Sequence, residues 1–596
     1  MDGIRLHRGL SAGIRQVLVK QNYLNKINVF PVPDGDTGTN ICFTLLSILD
    51  GTEGRVETHA GRMAETIADA ALDGARGNSG VILAQFFQGF SEQVADQRRL
   101  SVEHLAQALQ SGYDSAYQAL SEPVEGTILS VIKASAETLR ERTQSGMDDF
   151  RHALEETLEG ARVALQKTPE QLAILKKSGV VDAGGQGFVY ILRGITDFIT
   201  TGSLRDIAAG TKMQTLQVTD MAPIEVDQEL TFRYCTECMV VGEGISLAPM
   251  RKILVQMGDS LVLGGSKHRA KVHIHSDQPQ QVFNALIAFG ALEGQKVDDM
   301  KKQVEISRTK QGTVAIVTDS TADIPAQLIE EYDIHLVPAR LSFGNTGYLD
   351  KVTITADEFY DKLANGPDHP QTSQPTPGDF MRTYQFLASH YESVISIHLP
   401  LGVSGTIQSA QNATRRIPDA KITVVDGIST AVGLGLIVTR VARAVKEGKN
   451  HAEALAVAQR AIAKTRIFAA IKDLSYAVRG GRVKASRKRL ADLLRATPIL
   501  SVTPEGKVDM VGKFFGRKDI ARGLAKWSAK QIDLSITYDI FISHAQNPED
   551  ADRLAELLPE YGYRINQVLI TDTGTALGTH TGPGSLIIAY QPADLE

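Results

Sequence analysis

The sequence predicts a multidomain chain: an all-α N-terminal helical bundle, a small α/β middle domain, and a larger α/β region towards the C-terminus. Three observations carry this. With 596 residues, 43% of them hydrophobic, the chain has room for three or more domains. Through the first 200 residues apolar side chains recur with the helical period, interrupted by glycine-rich breaks. From Gly312 onward the pattern becomes short apolar strands alternating with helices, as in a doubly wound sheet.

Composition narrows the function classes. A net charge of −6 gives no bulk reason for nucleic-acid binding. Three cysteines cannot make a disulfide framework, which points to a reducing compartment. The first twenty residues mix charge with apolarity (Arg5, Arg8, Arg15, Lys20) and lack the core of a signal peptide. No run approaches the ~18 apolar residues of a membrane span. The chain therefore reads as cytoplasmic.

In the N-terminal 200 residues, helices are predicted through Leu6–Leu24, Ile41–Leu49, Ala60–Ala75, Val81–Val94, Leu105–Leu120, Ile128–Leu139, Met147–Leu165 and Phe188–Ile199. The break before the second is Asn28-Val-Phe-Pro-Val-Pro-Asp34-Gly35-Asp36-Thr37-Gly38-Thr39-Asn40. Two carboxylates two residues apart on a proline-stiffened loop suit a hard divalent cation such as Mg²⁺. Gly35 and Gly38 would let backbone N–H groups approach a phosphate, and a helix starting near Thr39 would add its positive end. An ordinary Asp-Gly turn is the plain alternative.

The full string resembles the metal and nucleotide loop of the dihydroxyacetone kinase L-subunit family, in the form found in the ATP-binding component of bacterial fatty acid kinases. Three later breaks match in order. Gly74-Ala-Arg-Gly77-Asn78-Ser79-Gly80 resembles the second nucleotide-contacting turn, and Glu125-Gly126-Thr127 the turn on the adenine side. Lys176 to Gly187, with Asp182, Gly184 and Gly185, resembles the loop that closes over the nucleotide. The resemblance implies an ATP site using Thr37, Gly38, Thr39 and Asn40 as well, with Mg²⁺ on Asp34, Asp36 and Asn28. Asn28 stands near where the dihydroxyacetone enzymes carry a third aspartate, so one or two metals remain open.

Residues 201–222 lose periodicity and read as a linker. A middle α/β domain is predicted over 223–306. Its Cys235-Thr-Glu-Cys238 and Val272-His273-Ile-His275 strings could complete a closed, structural S₂N₂ zinc site. A buried cysteine pair beside two strand histidines is the alternative. By resemblance to the fatty acid kinase component, Cys235, His273 and His275 are the ligands and Cys238 is extra.

In 312–596, strands are predicted at Val314–Val317, Val394–Ile397, Ile422–Val425, Ile540–Ile542, Val568–Ile570 and Leu586–Ala589, with polar strings near their ends. These strings include Thr318-Asp-Ser-Thr-Ala-Asp323, Thr372-Ser373-Gln-Pro, Ser404-Gly405-Thr406, Arg479-Gly-Gly-Arg482, Gly516-Arg517-Lys518 and Gly578-Thr-His580-Thr-Gly-Pro-Gly584. In this order they resemble the DegV family of fatty-acid-binding proteins, which implies a two-lobed α/β fold. It also implies that Thr372 and Ser404, with Ser373, Gly405, Thr406 and His580 around them, hold a fatty acid carboxylate. The basic run from Arg479 to Arg489 is either a solvated face or, at Arg479 and Arg482 and with Arg517, a set of anion contacts.

Together the resemblances imply a fatty acid kinase in one chain. Asp34 and Asp36 would act through Mg²⁺, and Arg479, Arg482, Arg517 and His580 would offset charge as carboxylate and γ-phosphate meet. Expected partners are the fatty acid, an acyl-phosphate-using acyltransferase and a second copy in a homodimer, with transient membrane-surface contact. The rivals are a kinase of a small hydroxy-ketone such as dihydroxyacetone, and a non-catalytic lipid-binding regulator.

Overall fold

The structure, a computed structural model, describes residues 1–202, 230–308, 312–481, 496–515 and 519–595. The chain divides into two compact units, Met1–Thr309 and Lys310–Glu596.

The first unit opens with ten helices: α1 (Gly3–Val19), α2 (Gln21–Lys26), α3 (Thr37–Thr52), α4 (Ala60–Gly74), α5 (Gly77–Gln93), α6 (Val102–Ala119), α7 (Ile128–Gln144), α8 (Phe150–Gln171), α9 (Ala173–Ser178) and α10 (Ala183–Thr201). Local chemistry sets their ends. Asp2, Asp149 and Asp182 accept backbone N–H bonds at the starts of α1, α8 and α10, and Ser101 forms a capping box on α6. The apolar stripes meet in one core that buries Ile14, Ile41, Leu45, Met63, Leu83, Leu139 and Phe188. One expectation is corrected: the stretch read as a single helix over 6–24 is two. The break at Lys20 lets α2 swing so that Gln21 and Asn25 reach Thr39 on α3.

A four-stranded antiparallel sheet follows, ordered β2-β3-β1-β4, from β1 (Tyr234–Val241), β2 (Asp259–Gly265), β3 (Arg269–Ser276) and β4 (Ala291–Asp299). Three helices accompany it: α11 (Leu247–Leu254), α12 (Pro279–Leu286) and α13 (Met300–Arg308). One face buries Cys238, Val240, Leu263, Val272 and Ile274 against Met250 and Phe283. Met239 and Val262 instead join the core of the helical bundle, so bundle and sheet share apolar packing. Ser121 N–H donates to the Leu261 carbonyl, and an Arg269–Asp73 ion pair adds to the junction. The linker expected at 201–222 falls almost wholly outside the described residues.

Among its described residues the second unit holds three sheets. Strands β5 (Gly312–Asp319), β6 (Ile334–Val337), β10 (Tyr391–His398) and β11 (Ile422–Asp426) form a parallel sheet in the order β11-β10-β5-β6. Between them in sequence, β7 (Arg340–Phe343), β8 (Thr346–Leu349) and β9 (Gln371–Ser373) make a small antiparallel sheet. The third is β12 (Arg466–Ala470), β13 (Ala496–Val502), β14 (Val508–Phe515), β15 (Thr537–His544), β16 (Arg564–Asp572) and β17 (Leu586–Pro592), ordered β14-β13-β12-β17-β15-β16. It departs from the doubly wound expectation, because of its neighbouring pairs only β15–β16 is parallel. The helix Ala431–Lys446 serves both lobes: Leu434, Ile437 and Val438 pack on the parallel sheet, Val432 and Leu436 on Phe541 and Ile587.

Candidate functional site

The loop from Asn28 to Asn40 ends on the first turn of α3, with Asp36 as N-cap and Thr37 as the first helical residue. Asp34 and Asp36 line one cleft together with Thr37, Asn40, Asn78 and Ser79. Burial and the neighbouring Asp36 push the Asp34 carboxyl well above the usual range; burial raises Asp36 as well, against the pull of Lys296. Two carboxylates crowded in this way repel each other unless a cation lies between them, so the pair fits a divalent ion. Asn28 lines the same cleft; its amide donates to Asp34 Oδ1 at 2.7 Å and its oxygen accepts from Thr37 Oγ1 at 2.8 Å, which fixes it against Asp34.

Two further loop residues serve the junction with α2. Thr39 accepts from Gln21 and Asn25 and donates its N–H to Asn25 Oδ1, so it ties α3 to α2 instead of facing the cleft. Gly38 is small for the same junction: a Cβ there would lie 2.3 Å from the Gln21 carbonyl oxygen.

Of the later turns, the one at Gly77, Asn78 and Ser79 lines this cleft. Gly77 has φ +57, and a Cβ there would lie 2.4 Å from Asn40 Nδ2. The Oδ1 of Asn78, beside it, is buried with no hydrogen-bond partner. A Cβ on Gly184 would meet Ser79 Oγ at 3.1 Å, so the α5 and α10 turns touch. Asp182 accepts from Gly185 N–H at 2.7 Å and from the N–H of Ile128, tying α10 to the start of α7. Gly126 and Thr127 lie at that start, where Gly126 N–H donates to Ser130 Oγ and the Thr127 hydroxyl donates to the Val124 carbonyl.

Burial pushes the Asp182 carboxyl up to about 6 despite its N–H donors. The unfolded group titrates near ~3.9. With the folded value raised, the stability it contributes is full below pH ~4 and is lost as pH rises through about 6, a fall on the order of 2–3 kcal/mol. Asp182→Asn is expected to abolish this fall. Hydrogen exchange of α10 amides at pH ~4 and ~7.5, corrected for intrinsic rates, measures it; an unaltered pH slope in the variant would contradict the assignment.

The sheet supplies the cleft's other wall. Cys235, His273 and His275 are buried, and their ligand atoms all lie within 4.8 Å of one another. His273 Nδ1 is 3.0 Å from Glu237 Oε1, and its Nε2 is buried without a partner; His275 Nδ1 is 3.3 Å from Asp259 Oδ1. Carboxylates holding the second ring nitrogen of metal-ligating histidines are a recurrent arrangement. Burial keeps His273 below its usual titration range, in the neutral form that a metal requires. The donor set therefore fits Zn²⁺. Cys238 does not belong to it. Side chains alternate along a strand, so Cys238 points into the opposite core, where burial pushes its thiol up to about 12. Among the described residues three side chains are grouped so as to hold a metal ion, one fewer than a closed tetrahedral set.

Glu237 was missed by sequence reasoning. It is fully buried, accepts the Gly77 N–H at 2.7 Å, and pairs with Lys271 at 3.4 Å and Lys296 at 3.9 Å. Burial alone would raise its carboxyl; the two lysines and His273 hold it well below the usual range. Lys296, also paired with Asp298 at 2.6 Å, lines the cleft beside Asp34 and Asp36.

In the second unit, Thr372 Oγ1 and His580 Nε2 lie 3.0 Å apart. Ser404 Oγ is 2.9 Å from Thr406 Oγ1 and accepts the Thr406 N–H at 3.4 Å, while the helix Thr406–Thr414 has Gly405 as its N-cap. Ser373 is exposed, because it alternates away from Thr372. His580 also lines an apolar cavity of about 90 Å³ with Ile467, Leu500, Val502 and Ile587. Ligand pockets commonly run to ~300–1,000 Å³, so this cavity is small for one. Arg479 is exposed at the end of its helix; Arg482 and Arg517 lie outside the described residues. The opening polar string serves architecture: Ser320 donates to Asp350, and Asp323 and Asp350 accept backbone N–H bonds from Gly574 and Thr575.

Three family models match the chain: a DAK2 domain over 31–197, a FakA-like middle domain of the fatty acid kinase type over 231–307, and an uncharacterised protein, DegV family, over 313–593. An uncharacterized protein of Staphylococcus saprophyticus is 32% identical over 337 residues, 55% of this chain and 61% of that one. Protein YloV of Bacillus subtilis is 34% identical over 316 residues, 51% of this chain and 56% of its own. The chain thus spans less than two thirds of the length of these relatives. Among solved structures, a fatty-acid-binding DegV family protein of Thermus thermophilus is 28% identical with a TM-score of 0.44, covering 47% of this chain and 99% of its own. No helix among the described residues is long and apolar enough to cross a membrane.

Proposed function

With a DAK2 domain, a FakA-like middle domain and a DegV domain following one another in a single chain, we propose that it transfers the γ-phosphate of ATP to a fatty acid carboxylate, releasing ADP and an acyl phosphate. The observation that carries this is the cleft in which Asp34 and Asp36 sit against the first turns of α3 and α5. Asp34 and Asp36 would hold Mg²⁺, which would supply positive charge to offset the negative charge of the phosphates. The chain's own groups do the rest. With the Gly77 N–H already given to Glu237, the N–H groups of Asn78 and Ser79 in the first turn of α5 would donate to phosphate, and Lys296 faces the same cleft. A fatty acid carboxylate is already ionised at neutral pH, so no general base is needed. Thr372 and His580 would orient it, since a carboxylate beside an apolar cavity requires donors. Transfer requires its oxygen within roughly 3–3.5 Å of the γ-phosphorus. The product is a reactive mixed anhydride, to be consumed by an acyltransferase that uses acyl phosphates.

Thr372→Val is expected to weaken binding of a long-chain fatty acid by roughly tenfold or more, the worth of a hydrogen bond to a charged group. Calorimetric titration of the full chain measures this, and an unchanged Kd would remove Thr372 from the site.

Cys235, His273 and His275 would hold Zn²⁺, which when bound ties β1 to β3 beside the cleft. Metal analysis of the purified chain is expected to find one zinc per chain, lost in Cys235→Ser and His275→Ala and retained in Cys238→Ser. Loss in the Cys238 variant alone would reverse the assignment.

The regulator reading predicts bound lipid without acid-dependent ADP release. Turnover with dihydroxyacetone and none with fatty acid would favour the small-substrate kinase.

A further inference from the structure

A second cleft in the first unit, of about 620 Å³, belongs to no function assigned above. Helices α5 and α6 form one wall; α11 and β2 form the other. Its polar lining is rich in donors. Arg251 is half-buried and spends one end of its guanidinium on the C-terminus of α6: Nη2 donates to the carbonyls of Gln118 and Ala119 at 2.8 and 3.0 Å. The other nitrogen, Nη1, is buried with no hydrogen-bond partner. On the facing wall Gln85 is only 6% exposed, and its Nε2 is likewise buried and unpartnered. A Cβ at Gly264 would lie 2.4 Å from Gln85 Cγ, so the close approach of β2 to this side chain depends on glycine.

Clasping α6 explains Nη2 but not Nη1, and Gln85 takes no part in that clasp. Buried donors without acceptors are rare and each costs on the order of 1–3 kcal/mol. The two residues that carry them, on separate elements, both line one cavity. Lys252 adds a second positive charge, against the single carboxylate of Glu92 among the lining residues. Leu247, Val255 and Leu263 supply an apolar patch beside these groups. We propose that this cleft binds a small organic anion whose carboxylate or phosphate accepts from Arg251 and Gln85 while its carbon body rests on that patch. The occupant bridges bundle and sheet. It also loads α5, the helix whose first turn carries Asn78 and Ser79.

The test is hydrogen exchange on the full chain, with inorganic phosphate and, separately, butyrate as probes. At tenfold over its Kd a ligand slows opening about tenfold. Slowing of that size is expected at residues 115–121 and 247–255, with whichever probe matches the headgroup chemistry. Arg251→Gln should abolish it. Because that change also loosens the end of α6, Gln85→Met, which leaves the clasp intact, is the second variant and should weaken the protection at least several-fold. Slowing that survives both substitutions, slowing confined to residues 31–40 and 77–80, or no slowing with either probe would each overturn the proposal.

Discussion

Asp36→Asn is expected to lower fatty-acid-dependent ADP release by roughly a hundredfold to a thousandfold, the range seen when one charge-stabilising group of a transition state is removed. The substitution keeps the size and one oxygen of the side chain but deletes a charge from the pair that would hold Mg²⁺. Asp36 also accepts from Asn40 at the start of α3, a bond that an amide can still make. The fold should therefore survive, and fatty acid affinity should stay unchanged, because Thr372, His580 and the apolar cavity lie in the other unit. Initial rates of ADP release with saturating ATP and fatty acid measure the effect. A rate within threefold of the parent would exclude Asp36 from phosphoryl transfer.

Glu237→Ala is expected to have the largest effect on stability. One carboxylate offsets Lys271 and Lys296, which are 2% and 4% exposed, and also receives the Gly77 N–H and the His273 ring. Burial already pulls Lys271 down to about 8. Breaking a buried ion pair by removing one partner costs about 3–5 kcal/mol, because the other charge is left uncompensated. Hydrogen exchange of β1 and β3 amides should show their opening free energy lowered by that amount. A change below about 1 kcal/mol would mean that the lysines find other partners. Glu237→Gln separates charge from shape: it keeps an acceptor for Gly77, so the α5 turn should hold its position while the lysines lose their counter-charge.

The helical periodicity of the first 200 residues and the order of the polar strings were legible because each is local: a stripe of apolar positions, a turn rich in glycine. The carboxylate pair Asp34 and Asp36 was legible for the same reason, being two residues apart on one loop. What escaped depends on which face a side chain takes and on what packs against it. Cys235 and Cys238 read as a chelating pair from spacing alone, yet three residues along a strand point to opposite faces. The same alternation places Glu237 beside Cys235, and that signal was present in Tyr-Cys-Thr-Glu-Cys. Thr39 read as a nucleotide contact because nothing local shows that α2 folds back against it. Nor does sequence show that Lys296, more than 250 residues from Asp36, lines the same cleft.

The most direct measurement traps the product. The purified full chain is incubated with ATP, Mg²⁺ and a long-chain fatty acid in the presence of hydroxylamine, and acyl hydroxamate is identified by mass spectrometry. Acyl hydroxamate that forms only with ATP and fatty acid together, in step with ADP, is the predicted result. ADP release with no hydroxamate, or fatty acid held by the chain with no ADP released at all, would contradict it.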